Sequence, residues 1–240
     1  MGGALMIAAA GLVAPWIGLA LLYLLAALFT YQLPRPQAAS RTTPAWTSLT
    51  EGIRHVRSHP IISRVMLLSF SLVMASAVMP IWPVYARDRF EMGETGFGTM
   101  MAVFAVDQGI SALYVANRAR WERLSVPVLY GATMWSAMMI LFGFSTSFPL
   151  SLLVLFFMGT AIPPWATSLA TLLQTQTDKN MLGRVMAVYA MSGQVGMLGW
   201  LLGGWLGEVI GNDRMLLLTG VSFAAFNYVI FLTSAKLRQL

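Results

Sequence analysis

The sequence predicts an all-α integral membrane protein of about seven transmembrane helices. Apolar, uncharged stretches of roughly 18 or more residues recur along the chain, and a bilayer core about 30 Å thick is crossed by roughly 20 apolar helical residues. The composition agrees: of 240 residues, 58% are hydrophobic and only 10% charged. The charges between the stretches also alternate by side, as in a chain that crosses a membrane repeatedly.

The predicted spans are 16–33, 62–86, 96–117, 125–145, 149–172, 185–207 and 215–235. Between them, Arg35, Arg41, Arg54, Arg57, Arg64, Arg118, Arg120, Arg123, Lys179, Arg184, Lys236 and Arg238 fall on one side. Only Arg87, Arg89 and Arg214 fall on the other. The positive-inside rule places the first set and the C-terminus in the cytoplasm, with the first span running inward. The acids lean the opposite way, with Asp88, Glu91, Glu94, Glu208 and Asp213 outside against Glu51, Glu122 and Asp178 inside. A net charge of +6 arranged in this way marks membrane orientation and not nucleic-acid binding. The chain has no cysteine, which excludes disulfides and thiolate metal sites.

Residues 1–34 carry no charged side chain. This run is too long for one untilted helix and too short for two full ones. Gly11 and Pro15 sit where a turn would divide it into a stub, Met1 to about Leu12, and the first complete span; one long tilted helix is the alternative. The stub reading implies chain missing upstream. A signal peptide is not expected, because no basic segment precedes the apolar run.

Residues 34–61 form the longest polar stretch. Pro34, Pro36 and Pro44 favour an extended start. Ser48 and Glu51 have capping-box spacing, so a helix is expected to begin at Ser48. Leu49, Ile53 and Val56 share one face of it, and Pro60 ends it. Such a helix suits the cytoplasmic membrane surface. His55 and His59 are four residues apart, but no third ligand is near, so no metal is expected.

The later spans carry three polar or irregular features. Asp107 is the only acid within a span, and Asp107, Ser111, Tyr114 and Arg118 recur at i, i+4, i+7 and i+11, forming one stripe. A carboxylate at mid-span is costly against lipid, so the stripe points to a cavity or to a paired structural acid. Pro80, Pro83, Pro163 and Pro164 break two spans, with Trp82, Tyr85 and Trp165 beside the breaks. In the sixth span Ser192, Gly196, Gly199, Gly203 and Gly207 form a small-residue face suited to close helix contact. Gln194 lies on another face. No nucleophile–base arrangement, nucleotide loop or cofactor motif is visible, so neither an enzyme nor a cofactor is expected.

Four motifs then bring a family into view. Leu49 to Pro60 reads LTEGIRHVRSHP, Pro83 to Asp88 reads PVYARD, Thr95 to Gly98 reads TGFG, and Thr171 to Gln174 is followed by Asp178 and by Gly183 to Tyr189, GRVMAVY. In order and spacing these resemble the major facilitator superfamily, in its macrolide-efflux and enterobactin-exporter-like branch. The resemblance implies that residues 62–240 form the C-terminal six-helix transmembrane domain, that 34–61 is the cytoplasmic linker with its surface helix, and that 1–33 holds a stub and the last helix of the N-terminal half. The chain departs from the pattern at Thr177 and Leu182, at Ala105 to Ser111, and in the loop Asn117 to Arg123.

The resemblance implies half of a proton-coupled efflux transporter for small amphiphiles, siderophore- or drug-like, in a bacterial inner membrane. Asp107 would couple protons. Trp82, Tyr85, Ser111, Tyr114, Trp165 and Gln194 would line the substrate cavity, and Asp178 and Arg184 would serve the inward gate. Expected partners are membrane lipid, a small-molecule substrate, and an N-terminal half or a second copy. The competing expectation is a truncated, non-transporting scaffold or partner subunit.

Overall fold

The computed structural model describes residues 14–32, 45–118, 121 and 123–239, in two separate units. The first contains α1 (Ala14–Tyr31). The expected stub, the turn at Gly11, the extended prolines of the linker, and residues 119, 120 and 122 of the basic loop lie outside the described residues.

The second unit holds six spans long and apolar enough to cross a membrane, with Ile17–Tyr31 of the first unit as a shorter apolar stretch. The protein is therefore an all-α integral membrane protein, as its apolar runs predict. Helix α2 (Ala45–Ser58) precedes the spans. It already runs at Ala45, so Ser48 sits inside the helix and does not cap it. His59 is extended and Pro60 occupies the first turn of α3 (Pro60–Phe70). There the missing proline N–H has no helical partner to lose, so Pro60 begins one helix as it ends another.

The first span, Pro60–Arg89, is broken into α3, α4 (Leu72–Ser76), α5 (Ile81–Val84) and a π-helical turn, Tyr85–Arg89. Pro80 and Pro83 lack the N–H groups that would bond Ser76 and Met79, so the helix cannot run through. Next come α6 (Gly93–Asn117) and α7 (Ser125–Phe144). The fourth span is again split, into α8 (Phe148–Gly159) and α9 (Ile162–Gln176), just before Pro163 and Pro164. Helix α10 (Lys179–Ile210) meets α11 (Asn212–Leu232) at Gly211, whose φ of +88° suits a residue without a Cβ. A short helix, α12 (Ala235–Gln239), follows.

Packing follows the sequence signals. The small-residue face of α10 lies on α4: a Cβ added to Gly199 would collide with the Val73 carbonyl, and one on Gly203 with that of Ala77. The Ser76 hydroxyl donates to the Gly196 carbonyl at 2.6 Å, and the Ser69 and Ser192 hydroxyls bond at 2.8 Å. Helix α11 packs on α7, α9 on α7, and α6 on α8. One apolar core, including Trp82, Phe104, Met139, Phe142 and Met158, fills the bundle towards residues 85–92. A second, including Ile62, Leu68, Leu169, Leu173 and Val185, fills it towards α2 and α12.

Candidate functional site

Asp107 sits on α6 where that helix crosses the break between α8 and α9. It is 1% exposed. Its Oδ2 lies so close to the break that a Cβ on Gly159 would stand 2.5 Å away, so a glycine at 159 makes room for the carboxylate. Oδ2 is buried and has no hydrogen-bond partner. One turn further, the Ser111 hydroxyl donates to the Thr160 carbonyl at 3.1 Å. In an unbroken helix that carbonyl would accept from residue 164, which is proline. Ser111 thus replaces the backbone donor that Pro164 lacks. The Thr160 hydroxyl bonds Tyr130 of α7 at 2.8 Å.

These groups border a cavity of about 500 Å³, lined by Asp107, Ile110, Ser111, Tyr114, Trp121, Val126, Pro127, Tyr130, Thr160 and Pro164. Near Trp121, Arg118 donates to the Tyr114 hydroxyl at 2.7 Å and lies 4.0 Å over the Trp121 ring. The structure therefore brings together Asp107, Ser111 and Tyr114 of the predicted stripe, and adds Tyr130, Thr160 and Trp121, which sequence reasoning missed. Thr160 had a signal: it stands four residues before Pro164.

The other candidate cavity residues stand elsewhere. Trp82 is fully enclosed and meets Phe104 edge-on at 4.8 Å. Tyr85 donates its hydroxyl to Asp213, stacks on Phe142, and lies under Arg89, which itself pairs with Asp213 at 2.7 Å. The π turn aims Tyr85 into this cluster at the end of the bundle that holds residues 85–92. Trp165 borders a separate apolar cavity of about 90 Å³ with Trp135 and Gly131. Gln194 is exposed on α10.

At the other end of the bundle, Asp178 precedes α10 and is exposed. Arg184 pairs with Glu51 of α2 at 3.1 Å. Gly52 lies against the Arg184 backbone carbonyl, where an added Cβ would stand 2.9 Å away. His55 and His59 stack at 4.0 Å. Burial and His59 hold the His55 pKa below the usual histidine value, while Asp178 pulls it the other way. Glu51, Arg54, His55, Ser58, Met181 and Arg184 line a pocket of about 450 Å³ between α2 and α10.

A half-bundle of six spans with two proline breaks and a buried acid on a cavity defines an integral membrane protein built like a transporter domain. The Major Facilitator Superfamily model matches residues 1–200, and the chain belongs to that family. It is similar to the enterobactin exporter EntS of Escherichia coli O81 (strain ED1a), 29% identical over 194 residues, which cover 80% of this chain and 46% of that protein. The EntS proteins of Shigella boydii serotype 18 (strain CDC 3083-94 / BS512) and Escherichia fergusonii match with the same identity and coverage. The chain thus spans about half the length of the curated relatives it matches. No solved structure matches it.

Proposed function

We propose that this chain is one half of a proton-coupled secondary exporter of small amphiphilic molecules, with Asp107 as the proton-carrying group. It is a transporter component and not an enzyme. The carrying observation is the buried Asp107 Oδ2, unpartnered and set at a helix break beside a cavity. An intramembrane acid is expensive to keep without a function, and broken helices border the sites of secondary transporters. The relatives named as enterobactin exporters favour a siderophore-like substrate. The basic bias supports a cytoplasmic α2 and C-terminus, and the resemblance to bacterial exporters supports a bacterial inner membrane.

Alternating access needs a second unit to rock against. The surfaces available for it are α6 and α10. Only 17% and 22% of their apolar stretches are buried within the chain, against 56% for the first span. An N-terminal half is the favoured occupant, and a second copy is the alternative.

The test is co-expression with a matching N-terminal half, followed by flux measurement in vesicles. Asp107→Asn is expected to fold but to lose transport driven by a pH gradient, with energy-independent exchange retained. Asp107→Glu keeps part of the driven flux. Full gradient-driven flux in Asp107→Asn would reduce the residue to a structural role.

A further inference from the structure

We infer that the groove between α2, α3 and α10 binds one anionic phospholipid, with an acyl chain in the groove and the phosphate on Arg54 and Arg57. The inference goes beyond the transport reading and does not depend on Asp107.

The groove is the first ground. It holds about 490 Å³, lined by Leu49, Ile53 and Val56 of α2, Met66 and Phe70 of α3, and Val188 of α10. Ser192 also lines it, but its hydroxyl is already used: it bonds Ser69 at 2.8 Å and donates to the Tyr189 carbonyl at 2.7 Å. The wall from Val188 to Val195 runs about 10 Å along α10 at ~1.5 Å per residue. That is shorter than one leaflet of a hydrocarbon core about 30 Å thick, so the groove suits part of one acyl chain. Ile53, Phe70 and Met191 are exposed along it, so one side is open to hydrocarbon.

Charge at the rim is the second ground. Arg57 lines the groove, and Arg54, three residues earlier, is its neighbour on the helix surface. Both are exposed, and neither has an ion pair among the described residues. The acids near α2 do not answer them: Glu51 pairs with Arg184, and Asp178 acts on His55. Two free guanidiniums beside an apolar groove are matched by an amphiphile with a hydrocarbon tail and an anionic head. The arginine fork fits phosphate oxygens.

Position is the third ground. Helix α2 ends at Ser58, and the first span begins at Pro60. The arginines therefore stand where a span meets the membrane surface, the depth of a lipid headgroup. Basic residues on a helix in that setting attract anionic lipids over zwitterionic ones. A lipid bound there joins α2 to α3 and α10.

The experiment uses the purified, delipidated chain in detergent, read by native mass spectrometry. The probes are phosphatidylglycerol and phosphatidylcholine with identical acyl chains. One phosphatidylglycerol is expected to bind roughly tenfold or more tightly than phosphatidylcholine, and to raise the melting temperature by mass action. Arg54→Gln combined with Arg57→Gln should bring the two lipids to equal affinity, while Arg238→Gln keeps the preference. Val195→Trp fills the groove and should weaken both lipids several-fold. Glycerol phosphate, a head without chains, should not compete. Equal affinity of the parent for the two lipids, or an undiminished preference in the double arginine variant, would overturn the site. Undiminished binding in a folded Val195→Trp would overturn the role of the groove. Should that variant not fold, competition by glycerol phosphate would overturn it equally. With a matching N-terminal half co-expressed, the phosphatidylglycerol should stay bound. Its displacement would make the groove a contact between halves and sink the inference.

Discussion

The two proline-broken spans share one sequence device and come to opposite ends. At Pro80 and Pro83 the break is mostly covered, leaving beside Ala75, Ser76 and Met79 only a small apolar cavity of about 90 Å³. Helix α10 lays its glycine face against α4, Ser76 ties the two together, and the Trp135 indole donates to the Ala75 carbonyl at 3.2 Å. At Pro163 and Pro164 the break stays open on one side. Ser111 satisfies the Thr160 carbonyl, but a cavity and an unpartnered carboxylate lie beside it. A proline in a span thus frees backbone groups without deciding their use. The facing helix decides: small residues cover the first break, and an acid with aromatic neighbours keeps the second one open.

The largest effect should come from forcing the covered break apart. Gly203→Leu puts a branched side chain where even a Cβ collides with the Ala77 carbonyl. Overpacking costs about 1–3 kcal/mol where side chains can yield, and backbone cannot yield as easily. Loss of folded protein, or a sharp fall in melting temperature, is expected. Gly204→Leu, one residue along, is the control, because nothing lies within 4 Å of a Cβ there. Equal behaviour of the two variants would mean that the α4–α10 contact does not hold the bundle together.

A smaller effect separates the breaks by how their carbonyls are satisfied. Trp135→Phe keeps the ring's bulk but leaves the Ala75 carbonyl without its indole donor, beside a small cavity with apolar walls. The cost should be about 1–2 kcal/mol, read from thermal unfolding. Ser111→Ala removes the matching donor at the other break, but the Thr160 carbonyl borders a cavity that water can enter, so it should destabilise less. The reverse order would mean that the second break is as dry as the first.

The spans were legible because lipid imposes length and hydrophobicity on each helix separately. The glycine face of α10 was legible for a similar reason: helical periodicity gathers residues 192, 196, 199, 203 and 207 on one side whatever they meet. The cavity was legible only along α6. Tyr130 and Trp121 come to it from outside that helix, and nothing in their own spacing announces it. Thr160 was readable by counting four residues back from Pro164. Trp82 and Tyr85 show the limit of reading proximity to a break as access to a cavity: their direction is fixed by the π turn and by Phe104, Phe142 and Asp213, all distant in sequence or unpredictable from it. The partner of Glu51 was missed likewise. Its spacing from Ser48 suggested a local cap, but Arg184 lies on the facing helix.

The smallest expected effect lies where α2 docks on α10, a contact that, unlike either break, is held by exposed and half-buried charges. His55 is disfavoured as a cation by burial and by its stacked neighbour His59, with Asp178 opposing. A histidine whose pKa is lowered in the docked state supports docking fully above its free value, about 6.5. That support is lost as pH falls through 6.5 towards the lowered value, because the undocked helix takes up the proton more readily. The Glu51–Arg184 pair also holds α2 to α10, so the loosening is partial. A fluorophore on a cysteine replacing Arg57, in this otherwise cysteine-free chain, should report greater mobility of α2 at pH 5.5 than at pH 7.5. His55→Gln should remove most of that difference, and Glu51→Gln should loosen the helix at both pH values. A pH response that survives in His55→Gln would mean that His55 is not the sensor.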